Sequence, residues 1–370
     1  MKIDEIDKNM AVQKADENGL VWHMPYEEPF QLAGFHWFDQ DKVSRRFPVE
    51  PHFPLSGAVD ELSWCTAGGQ VKFRSDSGKI CIKAKLRDAG GMDHMPQTGM
   101  SGFDFYIGEP GEERFYAVSR FASGSPEFTC ELFSSTVRKA RNFTINFPLY
   151  KGVNEMLIGV QAGARIQAPP AYPSKKPIVV YGTSITQGGC ASRPGSCYTN
   201  ILSRRLNMPF INLGFSGSGK GEADVARVVA LIKKPALLVL DYEANYGGHD
   251  LFQKTLPAFI SILRDAHAKV PILIISKNRF AQEAMDFESD SLNHEKICRK
   301  QCKVMQRNLV ARLREEGDPN IHFLDGSPLL GKDYWECSVD GVHPTDLGFS
   351  RMADGIGPVI RRILFGEMIN

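Results

Sequence analysis

The spacing of apolar runs changes near residue 170, and this change constrains the fold more than any other feature of the sequence. Before it, short apolar segments alternate with polar residues and are separated by turn residues, which is typical of an antiparallel β-sandwich. After it, apolar runs alternate with longer segments of helical period. This second pattern predicts βαβ units, and therefore a parallel sheet with helices on both faces.

The proline-rich segment 169–174 separates the two patterns and is expected to be a stiff, extended linker. The predicted domains are therefore 1–168 and 175–370. In the first domain, two pairs of strands are predicted around turns rich in glycine and other turn-forming residues: 70–74 with 79–86, and 103–107 with 114–118. In the second domain, the predicted strands are 178–181, 209–213, 236–241, 271–276 and 320–324.

The charge balance argues against several classes of partner. The 370 residues include 44 Lys and Arg against 43 Asp and Glu, a formal net charge of +1. Such a balance favours neither nucleic acid nor an anionic membrane surface, and no apolar run is long enough to span a bilayer.

The charged segment 1–8 lacks the apolar stretch of a signal peptide, so we expect a cytoplasmic protein. A secreted or periplasmic protein with its signal removed would have the same sequence.

A serine follows the first predicted strand of the second domain directly. Ser184 stands between glycines at the carboxyl end of 178–181, the edge where parallel sheets carry their functional groups. A serine hydroxyl needs a base to become a nucleophile, and His343 is the candidate. The carboxylate of Asp340, three residues earlier, can reach Nδ1 of that histidine and leave Nε2 facing the serine. The alternatives are a helix-capping serine and a surface histidine.

The glycine-rich loop 214–221 allows two interpretations. Its residues from Gly214 to Lys220 fit the phosphate-binding pattern G-x-x-x-x-G-K between a strand and a helix. However, Gly221 stands where that pattern has the serine or threonine that holds Mg²⁺, and Asp241 is a weak candidate for the accompanying acid. The second interpretation is an oxyanion loop, in which glycines expose a backbone N–H towards the serine.

The second interpretation names two candidate donors. They are the backbone N–H of Gly217 and the side-chain amide of Asn245, which lies in the next loop, 241–250. The alternative for Asn245 is a turn residue beside the glycines at 247 and 248. No metal or organic cofactor is needed for a serine nucleophile with a histidine base.

The order of these motifs resembles that of the SGNH (GDSL-type) hydrolase superfamily over about residues 175–365. In addition, 102–106 is similar to the G-x-D-L-Y signature of a β-sandwich domain that precedes one branch of that superfamily. The resemblance implies a jelly-roll-like antiparallel β-sandwich followed by a flavodoxin-like three-layer α/β/α domain with a parallel sheet. It also implies that Ser184 is the nucleophile, that His343 is the base with Asp340 behind it, and that the oxyanion donors are Gly217, Asn245 and the backbone N–H of Ser184.

The chain departs from the superfamily pattern at several positions. Thr183 replaces the aspartate of G-D-S-L, and Ile185 replaces its leucine. Asn245 stands in D-x-E-x-N rather than in the usual G-x-N-D, and Phe105 replaces the leucine of the sandwich signature.

The implied function is a serine esterase that cleaves a small acyl ester, an acetyl ester in the first place, on a carbohydrate. The expected partner is a small-molecule or oligosaccharide ester, and self-association into a homo-oligomer stays open. One alternative is a carbohydrate-binding protein that keeps the hydrolase fold without catalysis. The other is a P-loop nucleotide hydrolase that uses Lys220.

Four further questions concern single features. Cys190 and Cys197 flank a loop after Ser184, and we expect free buried thiols rather than a disulfide. His294, Cys298 and Cys302 are spaced one helical turn apart without a second matching cluster, which argues against a zinc site there.

Trp335 is expected in the core, with stacking on a sugar as the alternative. The glycine-rich loop 90–100 either reaches over the active-site edge or is a surface loop.

Overall fold

The computed structural model describes residues 15–285 and 290–366, so the predicted charged segment 1–8 lies outside the described residues. The described N-terminal part forms two antiparallel sheets. Their strands are β1 (Leu20–His23), β2 (Gln31–Ala33), β3 (Gln70–Ser75), β4 (Lys79–Leu86), β5 (Asp104–Ile107), β6 (Arg114–Val118), β7 (Glu127–Ser134), β8 (Arg141–Asn146), β9 (Val153–Gln161) and β10 (Ile166–Gln167).

The two antiparallel sheets pack face to face. One has the strand order β1-β9-β4-β7, and the other has the order β10-β3-β8-β5-β6, with β2 paired to β3. Alternate side chains of both sheets point into one core, where Phe73, Phe105 and Phe143 of the second sheet meet Ile82 and Ile158 of the first. The predicted antiparallel sandwich is therefore confirmed.

One predicted strand pair is wrong and one is correct. Strands β3 and β4 do not form a hairpin, because β3 pairs with β8 and β4 pairs with β7 and β9 in the other sheet. The turn between them crosses from one sheet to the other and bonds to a distant segment: the Asp76 carboxylate accepts from the Arg165 amide at 2.7 Å, and Ser77 Oγ accepts from the Gln161 amide at 3.0 Å. Strands β5 and β6 do pair antiparallel, as predicted.

The second part of the chain forms a parallel sheet. Its strands are β11 (Ile178–Gly182), β12 (Phe210–Gly214), β13 (Leu237–Asp241), β14 (Ile272–Ile275) and β15 (Ile321–Leu324). They are arranged β12-β11-β13-β14-β15, and every neighbouring pair is parallel. Numbered within this domain, the order is 2-1-3-4-5, which is the flavodoxin-like arrangement. The predicted fold class is confirmed.

Helices cover both faces of the parallel sheet. Within residues 15–285 and 290–366, the α-helices are α1 (Phe38–Asp41), α2 (Gly57–Leu62), α3 (Gln97–Met100), α4 (Ser184–Gln187), α5 (Tyr198–Leu206), α6 (Ala223–Ala230), α7 (His249–Ala266), α8 (Asp290–Glu315) and α9 (Asp346–Phe365). Helices α5 and α9 bury Leu202 and Ile356 on one face, while α6, α7 and α8 bury Val228, Phe259 and Leu309 on the other. None of the helices in the described ranges has the length and apolar character that crossing a membrane requires.

The sandwich and the α/β domain share buried contacts. Met95, Met100 and Leu149 of the first part belong to the same apolar cluster as α5 and α9. The guanidinium of Arg46 enters the second part, where it lies 4.7 Å from the ring centroid of Phe215 and donates to the carbonyl oxygen of Gly214. Burial lowers the pKa of Arg46 to about 10, and this carbonyl group helps to satisfy the buried cation.

Candidate active site

The nucleophile loop begins where β11 ends. Ser184 is the first residue of α4, and its side chain lies at the carboxyl edge of the sheet, only 7% exposed. The hydroxyl of Thr183 accepts a hydrogen bond from the Ile185 amide at 3.3 Å and so acts as the N-cap of this short helix. Threonine can provide the side-chain cap that aspartate would also provide, which accounts for its presence before the serine.

A hydrogen-bonded chain links Ser184, His343 and Asp340. Ser184 Oγ donates to His343 Nε2 at 2.8 Å, and His343 Nδ1 donates to Asp340 Oδ2 at 2.6 Å. The two ends of this chain are 159 residues apart in sequence. The structure therefore brings together the three side chains that the sequence singled out, in the order that a serine nucleophile with an oriented base requires.

The Asp340 carboxylate is held ionised by its own loop. Partial burial works against the charge, but the carboxylate accepts hydrogen bonds from the amides of His343 at 2.8 Å and Val342 at 3.0 Å and from the imidazole. Together these bonds lower the pKa of Asp340 to about 2. A permanent negative charge behind Nδ1 favours the tautomer whose Nε2 is free to accept a proton.

The loop that follows His343 is tied to the nucleophile loop. Asp346, the first residue of α9, accepts a hydrogen bond from the Ser192 amide at 2.9 Å and a second from the Ser192 hydroxyl. Thr345 caps the same helix by accepting from the Gly348 amide at 3.4 Å. These contacts fix the distance between the histidine and the serine because they join the two loops directly.

The glycine-rich loop lies beside the nucleophile. The Phe215 amide donates to the Gly182 carbonyl at 3.0 Å, and the Ser216 amide donates to Gln187 Oε1 at 3.0 Å. Gly217 is exposed and has a φ of 64°, a left-handed conformation that favours glycine. This conformation orients the backbone amides of the loop differently from those of the preceding strand.

Asn245 contacts that same loop. When the side-chain amide of Asn245 is oriented to suit its neighbours, its Oδ1 accepts hydrogen bonds from the backbone amides of Gly217 and Ser218, at 3.3 Å each. Both bonds are longer than an ordinary N–H···O bond, so they are weak. The structure thus brings Asn245 and Gly217 together, in loops that leave β13 and β12 on either side of β11.

The phosphate-binding interpretation of 214–221 is wrong. Gly221 has a φ of 80°, and its amide donates to the Tyr181 hydroxyl at 2.9 Å. Glu222 is the N-cap residue of α6, which puts a carboxylate at the helix end where a phosphate would bind. Asp241 accepts from the Tyr198 hydroxyl at 2.8 Å and from the Thr186 hydroxyl at 3.2 Å, and burial raises its pKa to about 7.

The sandwich contributes its 90–100 loop to the catalytic edge. The ring of His94 lies 5.8 Å from the ring of His343, centroid to centroid. The same loop is anchored by a hydrogen bond of 2.6 Å from the Thr98 hydroxyl to the Ser192 carbonyl. Of the two alternatives for this loop, the structure therefore supports the one in which it reaches the active-site edge.

The sequence analysis missed two residues that line the nucleophile loop. The hydroxyl of Tyr150, from the sandwich, donates to the Ser184 carbonyl at 3.4 Å, and burial raises the pKa of this phenol. Gly189 leaves space for its neighbours: an added Cβ would lie 2.8 Å from the Tyr150 hydroxyl and 3.0 Å from His343 Cδ2. The second glycine of the G-G pair after Ser184 was the available signal for such close packing.

The sandwich signature at 102–106 docks the two domains. Asp104 is fully buried and accepts hydrogen bonds from the Gly195 amide at 2.7 Å, from Asn146 at 2.7 Å and from Arg193 at 3.2 Å. Tyr106 accepts a further hydrogen bond from Arg193. The acid and the tyrosine of the signature thus hold the segment that follows the nucleophile helix, a role that its sequence did not reveal.

The cysteines and the tryptophan also have defined places. Cys190 and Cys197 are free buried thiols, and burial, with a smaller contribution from Asp340, raises the pKa of Cys190 to about 12. Cys298 Sγ lies 3.3 Å from His294 Nε2. Trp335 is 40% exposed, so its expected place in the core was wrong.

Comparisons with known proteins agree with this geometry. Residues 175–361 match the GDSL-like lipase/acylhydrolase family, and residues 20–166 match the GxDLY domain, described as the N-terminus of SGNH-hydrolase-type esterases. No curated protein matches the chain.

Solved structures share the two-domain architecture. A protein from Bacteroides ovatus assigned as a GDSL-like lipase is similar with a TM-score of 0.83 and 28% identity, over 93% of this chain and 98% of that one. A salicylyl-acyltransferase from a tetracycline biosynthetic pathway has a TM-score of 0.72 and 18% identity, over 92% and 96%. A family two carbohydrate esterase from Cellvibrio japonicus has a TM-score of 0.59 and 12% identity, over 93% and 98%. The chain belongs to the GDSL-like lipase/acylhydrolase family and is a carboxylic ester hydrolase of the SGNH type.

Proposed function

We propose that the protein is a serine esterase that removes a small acyl group, an acetyl group in the first place, from a carbohydrate ester. The observation that carries the proposal is the hydrogen-bonded chain from Ser184 Oγ to His343 Nε2 at 2.8 Å and from His343 Nδ1 to Asp340 at 2.6 Å. A binding protein that had lost catalysis would not need this alignment.

In the proposed reaction, His343 Nε2 accepts the hydroxyl proton while Ser184 Oγ attacks the ester carbonyl carbon. The oxyanion receives hydrogen bonds from the backbone amides of Ser184 and Gly217 and from the side-chain NH₂ group of Asn245, and the Gly217 amide gives up its weak bond to Asn245 Oδ1 for this purpose. His343 then donates the proton to the departing alcohol oxygen as the C–O bond breaks. Water attacks the acyl-enzyme with the same base and releases the acid and the free serine.

Two observations support a short acyl chain and a sugar. Ser184 is nearly buried, the Tyr150 hydroxyl contacts its carbonyl group, and the ring of His94 lies beside that of His343, so the space beside the acyl carbon is limited. Trp335 is 40% exposed and precedes Asp340 by five residues, and exposed tryptophan rings stack on sugar faces. The carbohydrate esterases with the same fold suggest the same substrate class.

The test is a series of activated esters of increasing chain length and a set of acetylated oligosaccharides, assayed with the wild type and with Ser184→Ala. We expect Ser184→Ala to lower the rate about a thousandfold or more, with the acetyl ester cleaved fastest by the wild type. Ser174→Ala is the matched control, because Ser174 precedes the opposite end of β11.

Undiminished hydrolysis by correctly folded Ser184→Ala would refute the nucleophile. A wild-type protein that binds acetylated oligosaccharides without cleaving them would favour the non-catalytic alternative. Faster cleavage of long-chain esters would refute the proposed acyl preference alone.

A further inference from the structure

Two side chains that the proposed reaction does not use flank the catalytic histidine and its carboxylate. They are His94, from the sandwich, and Cys190, from the loop after the nucleophile helix. One ligand atom from each of His94, Cys190, Asp340 and His343 lies within 4.8 Å of the others. Among the residues that the structure describes, this is the one group of three or more histidine, cysteine or acidic side chains with metal-ligand spacing.

His94 is presented by a tight turn. An isolated antiparallel bridge between Met92 and Met95 closes the turn, so His94 stands at its tip. One ring nitrogen, Nδ1, contacts the Asp93 carboxylate at 3.2 Å, which leaves Nε2 for another partner. The imidazole is therefore oriented by one neighbour and keeps one nitrogen for a ligand, as metal-binding histidines do.

Cys190 is held rigidly on the other side. It has a φ of 70°, in the left-handed region that favours glycine, and it is 4% exposed. The preceding amide of Gly189 donates to the Ser184 carbonyl at 2.8 Å, and the following amide of Ala191 donates to the Gly188 carbonyl at 3.1 Å. The Cys190 thiol makes no hydrogen bond with any described residue, so its sulfur is available to a ligand.

The donor set selects a particular class of cation. Sulfur, imidazole nitrogen and a single carboxylate oxygen suit Zn²⁺, whereas Mg²⁺ and Ca²⁺ take oxygen ligands. Zinc bonds of about 2.0 to 2.3 Å in a tetrahedron separate the donor atoms by roughly 3.3 to 3.8 Å. Because the four atoms already lie within 4.8 Å of one another, small side-chain movements would suffice to close the site.

We propose that His94, Cys190 and the Asp340–His343 pair bind Zn²⁺, and that the bound cation reversibly blocks ester hydrolysis. Binding displaces the thiol proton of Cys190 to solvent and leaves the sulfur coordinated as thiolate. The cation either takes Nε2 of His343, so that this nitrogen can no longer accept the Ser184 proton, or takes the Asp340 carboxylate, so that the carboxylate no longer orients and supports the base. The block rests on the proposed esterase function, whereas the cation site does not.

The direct test uses Co²⁺ as a spectroscopic substitute for Zn²⁺, because a cobalt–thiolate bond gives a near-ultraviolet charge-transfer band whether or not the protein is active. We expect the band in the wild type and not in Cys190→Ser. By calorimetry, we expect the affinity for Zn²⁺ to be at least about a hundredfold weaker in Cys190→Ser than in the wild type, and also weakened in His94→Gln. Cys298→Ser is the matched control, since Cys298 is a buried thiol beside a histidine elsewhere in the chain.

The second test is inhibition of ester hydrolysis by Zn²⁺. We expect the wild type to be inhibited and to recover on chelation, and Cys190→Ser to need at least about tenfold more Zn²⁺ for the same inhibition. A band that persists in Cys190→Ser, a band lost in Cys298→Ser, or equal inhibition of the wild type and Cys190→Ser would overturn the proposal. A wild type that shows the cobalt band but hydrolyses no ester would refute the proposed function and leave the cation site standing.

Discussion

Replacing Asp340 by asparagine is expected to lock the catalytic histidine in the wrong tautomer. Asp340 Oδ1 accepts two backbone amides, those of Val342 at 3.0 Å and His343 at 2.8 Å, and only an oxygen can accept them. In Asp340→Asn the amide oxygen therefore stays at this position, and the NH₂ group replaces Oδ2 opposite His343 Nδ1. That NH₂ group donates, so Nδ1 must be unprotonated and Nε2 must carry the proton.

The expected loss of activity follows from this geometry. With its proton on Nε2, His343 faces Ser184 Oγ across 2.8 Å but cannot accept the hydroxyl proton. Locking a catalytic imidazole in this tautomer lowers kcat by about 10⁴-fold, which is about 5 kcal/mol of transition-state stabilisation. The substrate contacts are unchanged, so KM should stay within about threefold of the wild type.

The assay is steady-state hydrolysis of the activated acetate ester by Asp340→Asn and by Asp333→Asn. Asp333 lies in the same loop and is paired with Arg351 at 2.7 Å, but half of its side chain is exposed. Because exposed ion pairs contribute little, this control should keep its activity within about twofold. An Asp340→Asn protein that retained more than about a tenth of the wild-type kcat would refute the tautomer argument.

Three other changes test separate parts of the site. Burial raises the pKa of Asp241 to about 7, so the folded protein keeps a proton on this carboxyl group that the unfolded chain loses from about pH 4 upwards. The free energy of unfolding therefore falls as pH rises from about 4 to about 7. Asp241→Asn should therefore shrink the difference in Tm between about pH 5 and about pH 8, and an unchanged difference would contradict this cause. Gly189→Ala should lower kcat about ten- to a hundredfold, because the added methyl group crowds His343. Adding Tyr150→Phe removes the closest contact of that methyl group and should restore part of the lost kcat. Steady-state kinetics of the single and double variants measure both effects. Asn245→Ala should lower kcat about a hundredfold with little change in KM, and an equal loss through KM alone would argue against an oxyanion role.

The sequence was sufficient where the pattern is local or follows from topology. Asp340 and His343 are three residues apart, so their contact is determined by a single loop. Ser184 and His343 are 159 residues apart, yet both follow strands of one parallel sheet, and the carboxyl ends of such strands lie at one edge. The order of the motifs therefore sufficed to bring them together.

The sequence was insufficient where one domain meets the other. His94 and Tyr150 come from loops of the sandwich, and no local pattern specifies how a sandwich docks on an α/β domain. The failed hairpin of β3 and β4 has a similar cause, because alternating strands joined by a short turn look the same whether they pair or pass to opposite sheets. The burial of a single residue such as Trp335 cannot be predicted from its type alone, because its large apolar ring favours the core while the structure leaves it partly exposed.

The buried contacts between the two parts of the chain bear on its cooperativity. Met95, Met100 and Leu149 fill the same apolar cluster as α5 and α9, and Arg46 reaches the carbonyl group at the end of β12. Separating the halves would expose this apolar surface to water and leave the guanidinium without its carbonyl partner at the end of β12, while its bond to the Leu62 carbonyl would remain. Heat or denaturant should therefore remove the antiparallel and the parallel sheets in one transition, so that the proline-rich segment near residue 170 divides the sequence but not the unfolding unit.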